Sequence, residues 1–428
     1  VPDSQGGSLP WLLVSSWMWH LTRWDGLFLG TYLVTHLGAP PIANQFVGVG
    51  LFAPMLLGAY FSSRSFLRRD TALQRLVLYT ELVLLPVSAL MAVLVGSGVV
   101  HTWMIYPFML AYGFGGMVNM TTQRELLFLM SGPLRSTRVL NTEVAATASA
   151  MMLGPLIGGI TIQAFGLGVA FTVPAVLLAF SAPLLWLSTR RVPARSLPIR
   201  PEIVVGGGRS TDWGLLRRSR VLAVILLVTV ICNLFYFAFM PLVPVIAQHL
   251  GADALMAGVI GSTAGVVQLL VAGALTVRPA RRPFSGYVAG VALCLCCLAI
   301  LAYTPVVVVA LLALSVAGIG QALFGSAQAT LPVQAVGPHE RAAALGLVTT
   351  TIGLALPAGM AILGVLSSLF GPQLAMLVSA LVGLAALAAT VIMNCGLIRG
   401  REASTTSSGA TIRRGREGNP VAAQPELR

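Results

Sequence analysis

EVAATASAMMLGPLIGGITIQAFG (residues 143–166) and VTTTIGLALPAGMAILGVLSSLFG (residues 348–371) are the two stretches whose comparison decides the fold. Each is long and apolar enough to cross a bilayer as a helix, which takes about 20 residues. Aligned without a gap, they share Gly154 with Gly359, Gly159 with Gly364, and Phe165-Gly166 with Phe370-Gly371. The match extends backwards. Over 113–166 against 318–371, 13 of 54 positions are identical, where about a tenth would agree by chance in Ala-, Leu- and Gly-rich sequence. Gly113 and Gly115 meet Gly318 and Gly320, Gln123 meets Gln328, and Gly132-Pro133 meets Gly337-Pro338. Shared composition does not place a Gly-Pro and a Phe-Gly at the same phase twice, so the chain reads as an internal repeat.

Outward from these runs, twelve stretches qualify as membrane crossings: 14–37, 44–62, 73–96, 102–123, 143–165, 168–188, 220–245, 255–277, 285–303, 305–327, 342–368 and 373–396. They are called spans one to twelve below. The fold class expected is an all-α polytopic membrane protein of two six-helix bundles. Residues 1–188 form the first bundle, 189–219 a connector, 220–396 the second bundle and 397–428 a polar tail expected to be disordered. Composition agrees. The chain is 57% hydrophobic and 9% charged, against about 25% charged in a soluble domain. The first apolar run exceeds the core of a signal peptide and further spans follow it, so it is expected to be a retained helix.

The net charge is +13, carried by 26 arginines and no lysine. The arginines sit in short loops: Arg64, Arg68, Arg69 and Arg75; Arg124, Arg135 and Arg138; eight from Arg190 to Arg220; Arg278, Arg281, Arg282 and Arg341; and six from Arg399 onward. With twelve crossings all of these fall on one side, while the opposite loops hold none. The positive-inside rule then places both termini and the connector in the cytoplasm. The arginines are topology signals, so no nucleic-acid partner is expected. The Arg-only usage suggests a GC-rich bacterial gene, and hence a bacterial inner membrane.

The pattern resembles the major facilitator superfamily, and within it bacterial drug and siderophore exporters. The residues that carry the resemblance are Gly154-Pro155-Leu156-Ile157-Gly158-Gly159 in span five, similar to the Gly-Pro-x-x-Gly-Gly of the family's antiporters. A second match runs from Gln123-Arg124 through Gly132-Pro133 to Asn141. The loop after span two, Gly58 to Arg64 with Arg68 and Arg69, resembles the family's cytoplasmic loop motif, with Ser62 where that motif carries Asp. Span four has no charge before Arg124. The resemblance implies two bundles related by an axis along the membrane normal and alternating access to a site between them. It also implies export in exchange for protons. Gly154, Pro155, Gly158 and Gly159 would be the conformational motif, with the glycines admitting a close neighbour and Pro155 removing a backbone hydrogen bond.

Charges inside the spans are the remaining signal. Asp25 lies about twelve residues, roughly 18 Å, from the outer end of span one, near the middle of the hydrocarbon core. An ionised carboxylate there costs at least ~2.5 kcal/mol unless paired, hydrated or protonated. Asp25 is therefore the first proton-coupling candidate and Glu81 the second. Glu81 has the alternative of pairing with Arg75 or Arg135. Glu125 and Glu143 read as interfacial charges beside arginines. Arg23 is expected to snorkel, to partner a charge or to bind an anion; two residues from Asp25, it lies about 200° around the helix. Asn119, Asn233, Tyr236, Phe239, Gln268 and Gln321 are substrate-cavity candidates, a thin polar set among aromatics that suits a lipophilic compound. Cys294-x-Cys296-Cys297 lacks nearby acidic or histidine ligands and reads as packing, so no metal is expected. No phosphate-binding Gly-rich loop with Lys exists, and no cofactor is expected. Nor does any acidic box or His cluster favour an enzyme. The expectation is a monomeric secondary transporter in a lipid bilayer, exporting a small lipophilic molecule against protons. An uptake symporter or facilitator on the same fold is the alternative.

Overall fold

Lipid offers the backbone no hydrogen-bond partner, so each crossing must satisfy its own peptide groups, and a helix does so. The computed structural model describes residues 9–57, 73–189, 214–277 and 282–397, and all regular structure among them is helical. Among the described residues nine helices are long and apolar enough to cross a membrane; the other three expected crossings are spans one, two and four. Span one is the helix Leu9–His36, which carries His20, Arg23 and Asp25. Span two is helical over Pro41–Phe52 and is described as far as residue 57.

Spans four and five share one unbroken stretch of helical backbone, Thr102–Phe165. Its 64 residues laid straight would measure about 96 Å, roughly three hydrocarbon cores. The packing shows that it doubles back. Ile105 and Met109 lie against Gly30 of span one and Gly116 lies against Arg23, whereas Gly154 meets Trp24 and Asp25, and Gly158 meets Phe28. One arm therefore runs down span one and the other runs up it. The reversal falls within 124–142, where the sequence places a loop, although its backbone stays helical.

The remaining crossings are Leu73–Gly96, Leu167–Ala170 with Thr172–Thr189, Arg220–His249, Ala254–Val277, Pro283–Tyr303, Val307–Gln334, Arg341–Phe370 and Pro372–Met393. Span seven is irregular at mid-depth. Its α-helix gives way to a π-turn at Cys232–Tyr236 and then to a tight 3-10 stretch at Phe237–Leu242, which contains Pro241. A short helix, Gly214–Arg218, precedes it. Most of the 189–219 connector, the polar tail from residue 398, and the loop residues Gly58, Arg64, Arg68 and Arg69 lie outside the described residues.

The repeat is visible in the packing. The two Phe-Gly joints turn alike, with Gly166 at φ 83° and Gly371 at φ 84°, a conformation open to glycine and strained for other residues. Paired glycines also press on paired neighbours. Gly113 meets span two at Gly50 and Pro54, and Gly318 meets span eight at Ala264 and Val267. Gly115 meets span three at Leu84, and Gly320 meets span nine at Gly290 and Cys294. Gly154 meets span one at Trp24, and Gly359 meets span seven at Leu234. Gly159 meets span eight at Ala254 and Gly258, and Gly364 meets span two at Ile42 and Gln45. Each partner in the second half is the counterpart of its partner in the first, six spans on, and the last pair of contacts crosses between the halves.

Spans three, six and twelve turn large apolar side chains outward, among them Val83, Val93, Phe180 and Leu381. In water such a surface would drive association; in lipid it is the solvated face. Of the cysteine cluster, Cys294 and Cys297 are buried and Cys296 is exposed, with the Cys294 thiol against the Ala317 carbonyl at 3.5 Å.

Candidate functional site

A cavity of about 660 Å³, counted with its open mouth, lies where the halves meet. Span one contributes Trp24 and Phe28, span five Met151 and Pro155, span seven Phe239, and span ten Gln321. Small residues of span eight, Gly261, Ala264 and Gly265, leave the room. None of its lining residues is charged.

Of the six cavity candidates, Phe239 and Gln321 line this space. The others are placed differently. Tyr236 stands behind Gln321, whose Nε2 donates to the Tyr236 hydroxyl at 2.8 Å. Asn233 turns back on its own helix and donates to the Thr229 carbonyl at 2.8 Å. Gln268 is half-buried towards span ten, near Gly325. Asn119 is fully buried inside the first bundle beside Glu81. Helix rotation separates these residues, and a list of polar residues within a span carries no rotation.

Asp25 is fully buried at the contact of spans one and five. Gly154 and Gly158 make the space. A Cβ on Gly154 would lie 2.7 Å from the Asp25 backbone nitrogen, and one on Gly158 would lie 2.9 Å from Asp25 Oδ1. Neither carboxylate oxygen has a hydrogen-bond partner among the described residues. An ionised group so placed would bear its full desolvation cost. In the second half the residue paired with Gly158 is Leu363, which is buried. The other face of the same motif meets span eight. A Cβ on Gly159 would lie 2.6 Å from the Ala254 carbonyl oxygen, and one on Gly258 would lie 2.5 Å from the Pro155 carbonyl oxygen. The six-residue motif thus touches the acid on one side and the opposite half on the other.

Arg23 is buried on a different face. Its Nη2 approaches Met55 Sδ at 3.5 Å, and its guanidinium carbon lies 5.1 Å from the centre of the Phe52 ring. It therefore does not snorkel outward. Glu81 is buried inside the first bundle, with Ser181 and Asn119 as polar neighbours, while Arg75 is exposed; the expected pairing of Glu81 with Arg75 is not formed. Glu143, read from sequence as an interfacial charge, is 3% exposed, and His20 Nε2 lies 3.4 Å from its Oε1. His20 was missed by sequence reasoning. The signal available was the run His20-x-x-Arg23-x-Asp25, three ionisable residues crowded into one span.

The halves are drawn together at one end. Asn44 Nδ2 reaches the Pro241 carbonyl at 3.4 Å and Gln45 Nε2 the Ala238 carbonyl at 3.1 Å. Gly48 packs on Met360 and Pro241, and Gly159 on Gly258. These residues belong to the ends of spans two, five, seven, eight and eleven that lead away from the arginine-bearing loops.

A family model for the Major Facilitator Superfamily matches residues 12–358. No curated protein matches the chain in sequence. Solved structures do. The POT-family peptide transporter PepTSo superposes with a TM-score of 0.66 at 14% identity, covering 93% of this chain and 98% of the other. The nucleoside transporter NupG gives 0.63 at 14% identity, with 90% and 98% covered. The human organic anion transporter MFSD10 (TETRAN) gives 0.59 at 13%, with 91% and 100% covered. At such identities the likeness is one of fold. The family match runs from span one into span eleven and takes in every residue that lines the cavity, and the chain belongs to the Major Facilitator Superfamily.

Proposed function

We propose that this protein is a secondary transporter that exports a small lipophilic compound in exchange for protons, with Asp25 as the coupling carboxylate. The observation that carries the reading is the placement of Asp25: a buried, unpartnered carboxyl group on the helix that lines the cavity, pressed against a motif that also closes the seam between the halves. Losing the proton would put an uncompensated charge against Gly158. Relief requires water or movement of span one from span five, and span five carries the contact to span eight. Proton release and seam opening are thereby linked. The thin polarity of the cavity favours a lipophilic cargo.

The test is flux in proteoliposomes under an imposed pH gradient. Uphill movement of a lipophilic compound opposite to the proton gradient, with entrapped pyranine reporting counter-moving protons, is the expected result. Movement of compound and protons in the same direction would assign the protein to uptake symport, and gradient-independent equilibration to a facilitator.

Glu81 is the weaker coupling candidate, because its neighbours Ser181 and Asn119 lie within the first bundle and not at the seam. Glu81→Gln is expected to keep gradient-driven transport within a few-fold of wild type. A loss as deep as that of an Asp25 variant would move the coupling site to Glu81. We place the protein in a bacterial inner membrane as a monomer with both termini cytoplasmic, from the arginine distribution. Single cysteines at residues 101 and 206 should then label from opposite faces of intact cells, with residue 101 reached from outside by an impermeant maleimide.

A further inference from the structure

We infer that the cavity is built for an uncharged, largely apolar molecule that carries both a hydrogen-bond acceptor and a hydrogen-bond donor, the first held by Trp24 of the first half and the second by Gln321 of the other. The inference rests on the transporter reading in one respect, that this cavity is the substrate site. Three observations support it. The lining holds no charged side chain, so an ion entering it would exchange its hydration for apolar walls. The hydroxyl of Thr31, a polar lining residue, is already committed to the Leu27 and Phe28 carbonyls at 2.9 and 3.0 Å. Two polar atoms of lining residues are not committed: Trp24 Nε1 and Gln321 Oε1 are both buried without a partner.

These atoms are complementary in kind. An indole N–H only donates and an amide oxygen only accepts. Gln321 is 4% exposed, and its Nε2 is bound to the Tyr236 hydroxyl, which sets the amide so that the oxygen is the atom left over. Buried groups of this sort weaken folding unless something pairs them. A bound molecule that carries an acceptor and a donor would pair both. Because Trp24 belongs to span one and Gln321 to span ten, the same ligand would tie the two halves to each other. An apolar remainder would pack against Phe28, Phe239 and Met151. Asp25 does not line the cavity, and its Oδ1 lies at Gly158, so it offers a cation no direct contact there.

The test uses four heads on one ring: naphthalene-2-carboxamide (donor and acceptor), methyl 2-naphthoate (acceptor only), 2-naphthoate (anion) and naphthylmethyl-trimethylammonium (cation). Binding to the full-length protein in lipid nanodiscs is measured by calorimetry, with empty nanodiscs subtracted. The carboxamide is expected to bind about tenfold more tightly than the ester, the factor for one neutral hydrogen bond, and both ions more weakly than either. Gln321→Leu should bring the carboxamide down to the ester. Trp24→Phe should weaken carboxamide and ester alike and keep their ratio. A general packing defect would not split the two compounds in this way, and the wild-type series stands without the variants if either fails to fold. Equal binding of carboxamide and ester, tighter binding of either ion, or binding of none of the four would overturn the inference. No gradient is involved. Selective amide binding with failed proton-driven flux would sink the coupling reading alone, and sound flux with no amide preference would sink this inference alone.

Discussion

Asp25→Asn is expected to abolish the proposed proton-driven transport, by at least two orders of magnitude, and to leave the protein inserted and folded. The reason is local. Asparagine matches the shape of the carboxyl group that lies against Gly158, so the packing of span one on span five is expected to survive. What it removes is the ability to become charged. In wild type the ionised form is costly at this site, by several kcal/mol if it stays dry, and that cost is what would drive the two spans apart. A side chain that is always neutral never pushes. Uphill flux should vanish, and substrate-induced proton movement with it, while downhill exchange of one substrate pool for another persists, because exchange needs no proton step. Thermal stability should equal or exceed that of wild type, since a buried ionisable group without a partner is a liability to the fold. Uphill flux at the wild-type rate in the Asn variant would remove Asp25 from the mechanism. Loss of exchange together with flux would point to a packing role instead.

Gly159→Ala or Gly258→Ala is expected to open the seam between the halves. Each added methyl would meet backbone, 2.6 Å from the Ala254 carbonyl oxygen in the first case and 2.5 Å from the Pro155 carbonyl oxygen in the second. Backbone atoms of packed helices do not step aside as a flexible side chain does, and overpacking of this kind costs about 1–3 kcal/mol. The penalty applies to the conformation in which spans five and eight touch. The balance of conformations should move away from it by roughly 5- to 150-fold. A cysteine pair at Gln45 and Gly364, where an added Cβ would lie 3.0 Å from the Gln45 Cβ across the halves, reads the change in a background without the five native cysteines. Disulfide yield should fall steeply in either glycine variant, and transport should slow with it. Unchanged yield would mean that the close contact of spans five and eight does not hold the seam. Gly96→Ala is the contrast, since a Cβ there would meet nothing within 4 Å and the residue ends span three, outside the seam.

Much of the architecture was legible before any coordinates. The twelve crossings follow from run length, and the two Phe-Gly joints mark helix ends that the structure places at Gly166 and Gly371. One connection was misjudged in character: residues 124–142 look like a loop because Gly132-Pro133 and arginines interrupt the apolar pattern, yet their backbone is helical. The candidate site was legible in part. Asp25 and the span-five motif stood out separately, one as a charge and the other as a glycine pattern, with nothing in the sequence to join them. Tyr236, Asn233, Gln268 and Asn119 were grouped with Gln321 only because all are polar residues within spans. His20 went unnoticed although its partner, Glu143, lies 123 residues away in sequence and 3.4 Å away in space.

The division has a physical cause. Crossing a membrane is a property of a contiguous run: about 20 apolar residues must satisfy their own peptide groups, and loop charges sort by side. The all-helical membrane class and the twofold repeat were therefore legible in the sequence alone, which also sorts the arginine-bearing loops to one expected face. Which side chains face each other depends on how each helix is turned about its axis and on which glycines let two backbones meet, and both are settled by packing between elements far apart in the chain. Only the tertiary structure decided that Gly158 makes room for Asp25, that Gly159 meets Gly258 across the halves, and that Trp24 and Gln321 share one cavity.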